Sequence, residues 1–489
     1  MSTITERAVL RVERHGAFKA VPAVRAVVTW QTAVRVLAPL GALYVEGWPA
    51  LIGALLVQEG GLWLARHITA SAQRQVASAL FLAAYGLRML IALPTHYVAK
   101  LGNGSGALYR DDYTNDLVGD WLVRIARGEG ATAIFPGHQY LLDSVYSYLL
   151  MGIYAVFGYA PLVPKLLNVG LAALCSVFTF EIARKIFSQR VAVLAALGTA
   201  FLPSLIVWSV ATLKETLVLF VSLVALWALQ IVGEADRRDR RIWDALVVLL
   251  ATTLLLLDLR STSAFIVIGL LGVFVVARSR VRLRGWQLGL AGVAIAALLV
   301  GGTLVARERT NNRPLTASFE DLALQIRHRR AQEAAGAASQ LRPEDLTSDT
   351  SSQLPAAEAS SDAAPFSFVG DVLDPLGYAL LAPTPWQATS PLELAASAEM
   401  LVWYVLLVAS VFSWKAGPRQ PLFYFGLIVY GVANWLILAA VEGNVGNLLR
   451  HRMMLDPVLL ILGAAGLEWV WLSLRARSGS AVQVTELPD

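Results

Sequence analysis

The chain alternates between long apolar runs and short polar segments. The apolar runs are about 15–25 residues long, the length at which a helix crosses roughly 30 Å of hydrocarbon. They predict twelve membrane-spanning helices. These helices lie near 28–45, 49–66, 75–95, 163–183, 191–209, 213–232, 243–258, 262–277, 286–305, 399–413, 421–441 and 453–474. The pattern is that of an all-α polytopic membrane protein.

Lys and Arg concentrate in every second short loop. One set of loops holds basic clusters at 184–190, 237–241, 278–284, 415–419 and 475–477. The short loops of the other set hold only Lys214, Arg260, Arg450 and Arg452. Because cytoplasmic loops are enriched in Lys and Arg, we expect both termini in the cytoplasm. The sparsely basic loops then face the outer side of the membrane.

The stretch 141–157 is apolar enough to be a further span. Counting it as one would reverse every later loop and place the basic clusters outside. It also carries polar side chains in its first turns, so we predict an amphipathic helix on the outer surface. The chain then divides into five parts. They are spans one to three (1–95), an outer loop with an acidic pair and two surface helices (96–162), spans four to nine (163–305), a partly disordered outer loop (306–398), and the last three spans with a cytoplasmic tail (399–489).

The composition also indicates a membrane protein, and it excludes several other classes of protein. Hydrophobic residues make up 56% of the chain and charged residues 15%, against about 25% charged in soluble proteins. A soluble enzyme, a disordered protein and a nucleic-acid binder are excluded, and membrane lipids are expected partners. The only cysteine, Cys175, lies inside an apolar run, so no intrachain disulfide can form. No cleaved signal peptide is expected, since the basic N-terminus lacks a short apolar core and cleavage site.

Charged residues at the outer ends of the spans are the informative ones, because such residues are costly near lipid. Asp111 and Asp112 follow the third span. Paired carboxylates of this kind can supply a catalytic base or hold a divalent metal. The alternative is a solvated acidic loop that caps a helix beginning near Asn115.

Three further positions carry candidate binding groups. His138, beside Pro-Gly in FPGHQY, can contact a sugar or an acid, or can be a surface residue. Lys214 can hold a lipid phosphate as a point charge while Glu215 orients it, or the two can pair with each other. Arg260 can offer its planar fork to a phosphate, or can form an interfacial ion pair with Asp258.

The last outer loop holds a basic cluster. Arg450, His451 and Arg452 place cationic donors on the side that the positive-inside rule depletes. This distribution favours binding of an anion over a topological role. The alternative is a cluster whose side chains snorkel to lipid headgroups.

A carboxylate base combined with a cationic clamp suits transfer from a phosphate-linked donor. The leaving phosphate develops negative charge, which Lys and Arg stabilise, and an Asp can accept the proton of the acceptor hydroxyl. Nucleotide sugars are made in the cytoplasm, so an outer-face site requires a donor whose phosphate is carried by a lipid.

The layout resembles the GT-C superfamily of polyprenyl-phosphate-dependent glycosyltransferases, especially the branch of the protein O-mannosyltransferases and the lipid A aminoarabinose transferase. The resemblance covers about residues 75–232. It rests on a span, an acidic pair, two surface helices and a run of spans. The matching features are Asp111-Asp112, the helix through 121–128, the loop 136–140, LLMGIYAVFG, Asn168, Ala183-Arg184-Lys185 and Pro203-Ser204. Two departures concern the substrate: Pro136-Gly137-His138-Gln139 replaces the usual histidine-proline-proline, and the acidic pair is Asp-Asp where Asp-Glu is common.

The resemblance implies a multi-pass protein of the bacterial cytoplasmic membrane whose active site faces the periplasm. It implies a polyprenyl-phosphate sugar as donor and a cell-envelope glycan, a lipid or a protein as acceptor. The catalytic aspartate of the family maps onto Asp111 or Asp112, and the sequence favours Asp112. No cofactor follows with certainty, and binding of a divalent metal to the acidic pair is left open.

Two other functions compete with this reading. A polysaccharide polymerase or ligase would use lipid-diphosphate glycans and rely on long-loop arginines such as Arg327, Arg329 and Arg330. A transporter or flippase would need ionisable residues at mid-membrane depth. The candidates for that role are Arg35 and Arg88, and the span interiors otherwise hold almost no charge.

Overall fold

The computed structural model describes residues 21–129, 144–234, 240–278, 374–386, 391–442 and 445–483. Within these residues the protein consists of α-helices and short 3₁₀ turns, without a strand. The helices are α1 (Val21–Glu46), α2 (Trp48–Ile68), α3 (Arg74–Asn103), α4 (Arg110–Ala126), α5 (Val145–Phe157), α6 (Leu162–Ile186), α7 (Gln189–Phe201), α8 (Pro203–Ser209), α9 (Glu215–Glu234), α10 (Arg241–Leu259), α11 (Ser261–Arg278), α12 (Asp374–Leu381), α13 (Pro391–Ser410), α14 (Pro421–Val441), α15 (Val445–Arg452) and α16 (Asp456–Gln483).

Several of these helices have the length and composition of membrane spans. Within the described part of the chain, six qualify, and the bent pair α7–α8 makes a seventh. The six are α3, α6, α9, α10, α14 and α16. The chain is therefore an all-α protein with several membrane-spanning helices. Helices also occupy the other predicted span positions that the structure describes, whereas 286–305 lies outside the described residues. The total of twelve spans and the side of the termini stay predictions.

The sequence predicts one continuous helix over 191–209, and this prediction is wrong in one respect. The chain bends by 50° between α7 and α8. Pro203 causes the break, because proline has no N–H to donate to the carbonyl of Thr199 four residues earlier. Arg88 of α3 donates instead to the carbonyl oxygens of Thr199 at 3.2 Å and Ala200 at 2.8 Å. The fully buried Arg88 therefore caps the broken end of α7, a structural use that sequence reasoning did not foresee.

Small residues let the first helices pack closely against α3 and α6. Val34 of α1 packs over Gly86, and Phe81 of α3 packs over Gly61. Val57 of α2 lies so close to Gly170 that a methyl group there would be 2.1 Å from it. Close approach through glycine is the usual means of helix association in membranes. The hairpin α1–α2 therefore runs alongside two candidate spans over most of its length.

The helix ends collect at two opposite faces of the bundle. At the first, which we call the site end, α1, α3, α8, α10 and α14 end and α6, α9 and α16 begin. The hydrogen bond from the Leu162 N–H to the carboxylate of Glu46 is one of the contacts that join these ends. At the other face, basic side chains lie over tryptophans: Lys415 over Trp469 and Arg475 over Trp471. The side of the membrane on which each loop lies stays a prediction.

Helices α4 and α5 form a pair at the site end. Residues 145–157 of the predicted surface helix are helical, and 141–143 lie outside the described residues. The buried face of α5 is formed by Tyr146, Leu150 and Tyr154, which are spaced at helical intervals. Leu150 and Tyr154 pack against Gly119 of α4. The position of this pair relative to a membrane stays a prediction.

Candidate active site

The acidic pair lies in the first turn of a helix and not in a loop. Helix α4 begins at Arg110, five residues before the predicted start at Asn115. Asp112 causes the early start, because its Oδ2 atom reaches back to accept the Leu108 N–H at 2.8 Å. Both carboxylates therefore lie at the positive end of the helix dipole, which stabilises negative charge.

Asp112 is completely enclosed. Its Oδ1 atom accepts the Thr212 N–H at 2.8 Å, and its Oδ2 atom lies 3.0 Å from Nζ of Lys165. Neither member of this ion pair has measurable exposure. Lys165 also donates to the Gly106 carbonyl at 2.6 Å. Gly106 has φ +76° and packs against the ring of His96, so a side chain at this position would be both strained and crowded.

A second buried carboxyl lies one helical turn from Asp112. Asp116 accepts a hydrogen bond from the hydroxyl of Tyr154 at 2.5 Å. Its other oxygen, Oδ2, is buried and has no hydrogen-bond partner among the residues that the structure describes. Burial, followed by the charge of Asp112, raises the pKa of Asp116 well above the usual carboxyl range. Asp116 is therefore suited to remain protonated beside the ion pair of Asp112 and Lys165.

The turn between α8 and α9 is held from three directions. Asn168 donates to the carbonyls of Ala211 at 2.7 Å and Leu213 at 2.9 Å. Asn115 donates to the Thr212 carbonyl at 2.9 Å, while the Thr212 N–H binds Asp112. The turn ends at Glu215, the first residue of α9, so these bonds position Lys214 and Glu215.

Charged side chains from distant parts of the chain converge above this turn. Arg450 lies 2.6 Å from the carboxylate of Asp111 and 3.2 Å from that of Glu215. His451 lies 3.7 Å from Glu215 and 2.5 Å from Glu442. Asp111 is 56% exposed, whereas Glu215 and Glu442 are buried. Four of the residues predicted from sequence are thus brought into one cluster, to which the structure adds Glu442.

The basic groups of the cluster are held by these carboxylates. Burial lowers the pKa of Arg450, but Glu215, Asp111 and Glu442 outweigh it, so the pKa is raised overall. Burial lowers the pKa of Arg260, which Glu215 and Glu442 partly oppose. The charge of Arg260 is therefore influenced by two carboxylates of the cluster. Lys214 is exposed, and its charge acts on Glu215.

Arg452 points away from this cluster. It is buried, donates to the carbonyls of Ala379 at 3.0 Å and Ala382 at 2.5 Å, and lies over the ring of Trp403. Burial lowers its pKa to about 10. Its contacts hold the segment that follows α12 against α13. Arg452 and Arg450 therefore have different surroundings although they are two residues apart.

His138 lies outside the described residues, so its predicted contact with a substrate stays a prediction. Metal binding to the acidic pair has no further support in the ranges that the structure describes: no three His, Cys, Asp or Glu side chains converge there as a metal site. The long-loop arginines 327, 329 and 330 are also outside these ranges.

Sequence reasoning missed three members of the site: Lys165, Asp116 and Glu442. Lys165 could have been recognised from the sequence. It is a cation at the start of an apolar run, on the side where the positive-inside rule predicts few basic residues. Glu442 ends a span and Asp116 lies within the acidic stretch after Asp112. The sequence marks each as polar, but it does not show which of them faces another helix.

Comparison with known proteins gives one family. The family model described as dolichyl-phosphate-mannose-protein mannosyltransferase matches residues 144–302, about a third of the chain. No curated protein matches the chain. The family match confirms the resemblance to the GT-C superfamily and supports a membrane glycosyltransferase of the GT-C type.

Proposed function

We propose that the chain transfers a sugar from a polyprenyl-phosphate donor to an acceptor hydroxyl on the outer face of the cytoplasmic membrane. The acceptor is a cell-envelope glycan, a lipid or a protein. The observation that carries the proposal is the convergence of Asp111, Glu215 and Arg450 at one end of the bundle, from positions up to 339 residues apart. It combines an accessible carboxylate with cationic groups, as such a reaction requires.

In this proposal Asp111 is the catalytic base. The sequence favours Asp112, but that carboxylate is enclosed and both of its oxygens accept hydrogen bonds. Asp111 is adjacent in sequence and more than half exposed, so an acceptor hydroxyl can reach it. Asp112 then acts as a positioning residue, because it ties the first turn of α4 to the turn that precedes Glu215.

The cationic side chains take the phosphate of the donor. Arg450 supplies a guanidinium directly beside Asp111, and Arg260 and Lys214 supply further positive charge. Cations at this position stabilise the negative charge that develops on the leaving lipid phosphate. Glu215 and Glu442 hold Arg450 and His451 in place, so their geometry is set before a donor binds.

The test is transfer by the full-length protein in nanodiscs with a panel of polyprenyl-phosphate sugars. We expect Asp111→Asn to reduce turnover by at least about 100-fold, the usual scale of a lost general base. Asp120→Asn is the matched control on the same helix, since the partner of Asp120 among the described residues is Arg124 of its own helix, at 2.8 Å. An Asp111→Asn variant with wild-type turnover contradicts the assignment of the base.

The competing function, joining of preassembled lipid-diphosphate glycans, predicts a different result in the same system. Activity would then require a lipid-diphosphate glycan, would survive Asp111→Asn, and would be lost on substitution of Arg327, Arg329 or Arg330. The convergence of Asp111 with Arg450 favours the sugar-phosphate donor, because the polymerase reading leaves this carboxylate without a role.

A further inference from the structure

An ion pair lies on the outside of the helix bundle. Arg35 of α1 donates two hydrogen bonds from Nη2 to the carboxylate of Glu59 on α2, both at 2.8 Å. Gln58 donates to the same carboxylate at 3.3 Å. The side chains of Arg35 and Glu59 are 45% and 48% exposed. This polar group therefore belongs to the surface of the protein and not to its core.

The pair lies halfway along the bundle. Val34, the neighbour of Arg35, packs over Gly86, which is near the middle of the candidate span Ser71–Asn103. Val57, two residues before Glu59, packs over Gly170, about 12 Å inside α6 at 1.5 Å per residue. If α3 and α6 cross the membrane, Arg35 and Glu59 lie at mid-membrane depth.

Charged residues at this depth are costly in lipid and almost always face protein or a water-filled cavity. Here the pair faces outward, along the exposed stripe of α2 that includes Leu56, at 62% exposure, and Trp63, at 64%. Gly60 lies on the same stripe, and no atom of the described part of the chain lies within 4 Å of the place that a Cβ would take. An exposed glycine lets the backbone of another helix approach closely.

We propose that a second copy of this chain covers the face formed by Arg35, Leu56, Glu59, Gly60 and Trp63. The argument for a second copy is charge complementarity. Each protomer presents both signs, so a two-fold axis through the face brings Arg35 against the partner's Glu59 and the partner's Arg35 against Glu59. Such an isologous contact is the commonest arrangement of homo-oligomers. It converts two lipid-exposed ion pairs into one enclosed network of four charges, and it does not depend on the proposed reaction.

Charge reversal tests the pairing. Full-length protein is labelled and reconstituted into vesicles, and its oligomeric state is counted by single-molecule photobleaching as lipid is added. We expect wild type to dimerise, and Arg35→Glu and Glu59→Arg alone to shift the monomer–dimer midpoint at least tenfold towards monomer. A mixture of the two variants should recover dimers, because one presents two carboxylates and the other two guanidinium groups. A structural role within one protomer does not produce this recovery.

Cross-linking tests the same face without altering the charges. Cys175 is buried and is the only cysteine, so Gly60→Cys adds a single reactive thiol in open space. We expect oxidation to link two copies through this thiol, whereas the control Leu254→Cys, 58% exposed on α10, should remain unlinked. A wild-type protein that stays monomeric at the highest protein-to-lipid ratio overturns the proposal. A link from Gly60→Cys to a different protein in native membranes also overturns it.

Discussion

At the scale of single residues, the candidate site consists of an exposed carboxylate supported by a buried ion pair. Asp112 and Lys165 are both fully buried. A buried pair contributes little net stability, but removing one partner leaves an uncompensated charge. The contacts of Asp112 hold the first turn of α4 in place, and this turn carries Asp111.

Lys165→Met should lower the free energy of unfolding by about 3–5 kcal/mol, because the carboxylate of Asp112 then lacks its counterion in a buried site. The control Lys100→Met should cost at most about 1 kcal/mol, since the side chain of Lys100 is 41% exposed and pairs with Glu46 at 3.4 Å. Thermal unfolding of the detergent-solubilised variants measures both. Addition of Asp112→Asn to Lys165→Met should recover part of the loss, and a further loss instead would contradict the pairing.

The raised pKa of Asp116 makes stability depend on pH. The folded protein holds the proton of Asp116 above the ordinary value of 3.8, at which the unfolded chain releases it. The contribution of this group to stability is therefore greatest at low pH and declines as pH rises towards the folded pKa. Asp116→Asn should remove this decline, because the amide cannot ionise. Unfolding temperatures of both proteins between about pH 4 and pH 8 decide the matter, and parallel curves would show that Asp116 does not titrate as described.

At the scale of helices, the break between α7 and α8 is stabilised by groups from other elements. Pro203 leaves the Thr199 carbonyl without its helical donor. The Ser204 N–H donates to Glu399 of α13 at 2.7 Å, so the Ala200 carbonyl also needs another donor. Arg88 supplies both carbonyls and donates to Ser209 at 3.1 Å. A transporter would use Arg88 to bind its substrate, whereas here Arg88 caps the end of α7.

Arg88→Met should destabilise the protein by about 2–4 kcal/mol, because two buried carbonyl groups lose their donor. Arg66→Met is the control: Arg66 is exposed and donates one hydrogen bond, to Ser78 at 3.0 Å, so its loss should cost under about 1 kcal/mol. Chemical unfolding in detergent gives both values. Equal losses for the two variants would show that the break does not depend on Arg88.

The positions of the helices follow from the sequence, because a run of apolar residues must be helical to satisfy its backbone in lipid. Pro203 is a sequence signal for the break, because proline interrupts helices. The apolar pattern continues across it, however, and by itself predicts one unbroken helix. The pairing of Lys165 with Asp112, 53 residues apart, could not be foreseen, since it depends on how α4 rests on α6. The different partners of Arg450 and Arg452 could not be foreseen either, because they depend on the direction in which each side chain leaves α15.

At the scale of the whole molecule, three distant parts of the chain meet at one site. Helix α4 supplies Asp111, the middle of the chain supplies Glu215, and α15 supplies Arg450 and His451. The family match covers only the middle of the chain, 144–302. The residues that complete the cluster therefore lie on both sides of the matched segment.

This division predicts different outcomes for two neighbouring arginines. Arg450→Ala should raise the apparent KM for the donor about tenfold or more with a smaller change in kcat, because the guanidinium binds the phosphate before and during transfer. Arg452→Ala should instead lower the unfolding temperature, since the partners of Arg452 within the described ranges are the side chain of Met400 and the backbone of Ala379 and Ala382. Steady-state kinetics and thermal unfolding of both variants separate the two roles. A fall in kcat alone for Arg450→Ala would contradict donor binding by this guanidinium and leave it only the stabilisation of charge that develops on the leaving phosphate.

The distance of 339 residues between Asp111 and Arg450 has a consequence for biosynthesis. At about 5–20 residues per second, a ribosome needs roughly 20–70 s to make the intervening chain. During that time Asp112, Lys165 and Asn168 can already form their contacts with one another and with the turn before Glu215. Asp111 and Glu215 still lack their counterion, Arg450. In the proposed reaction, activity therefore requires insertion of the last helices, and we expect a chain that stops before α15 to be inactive even when its earlier helices have folded.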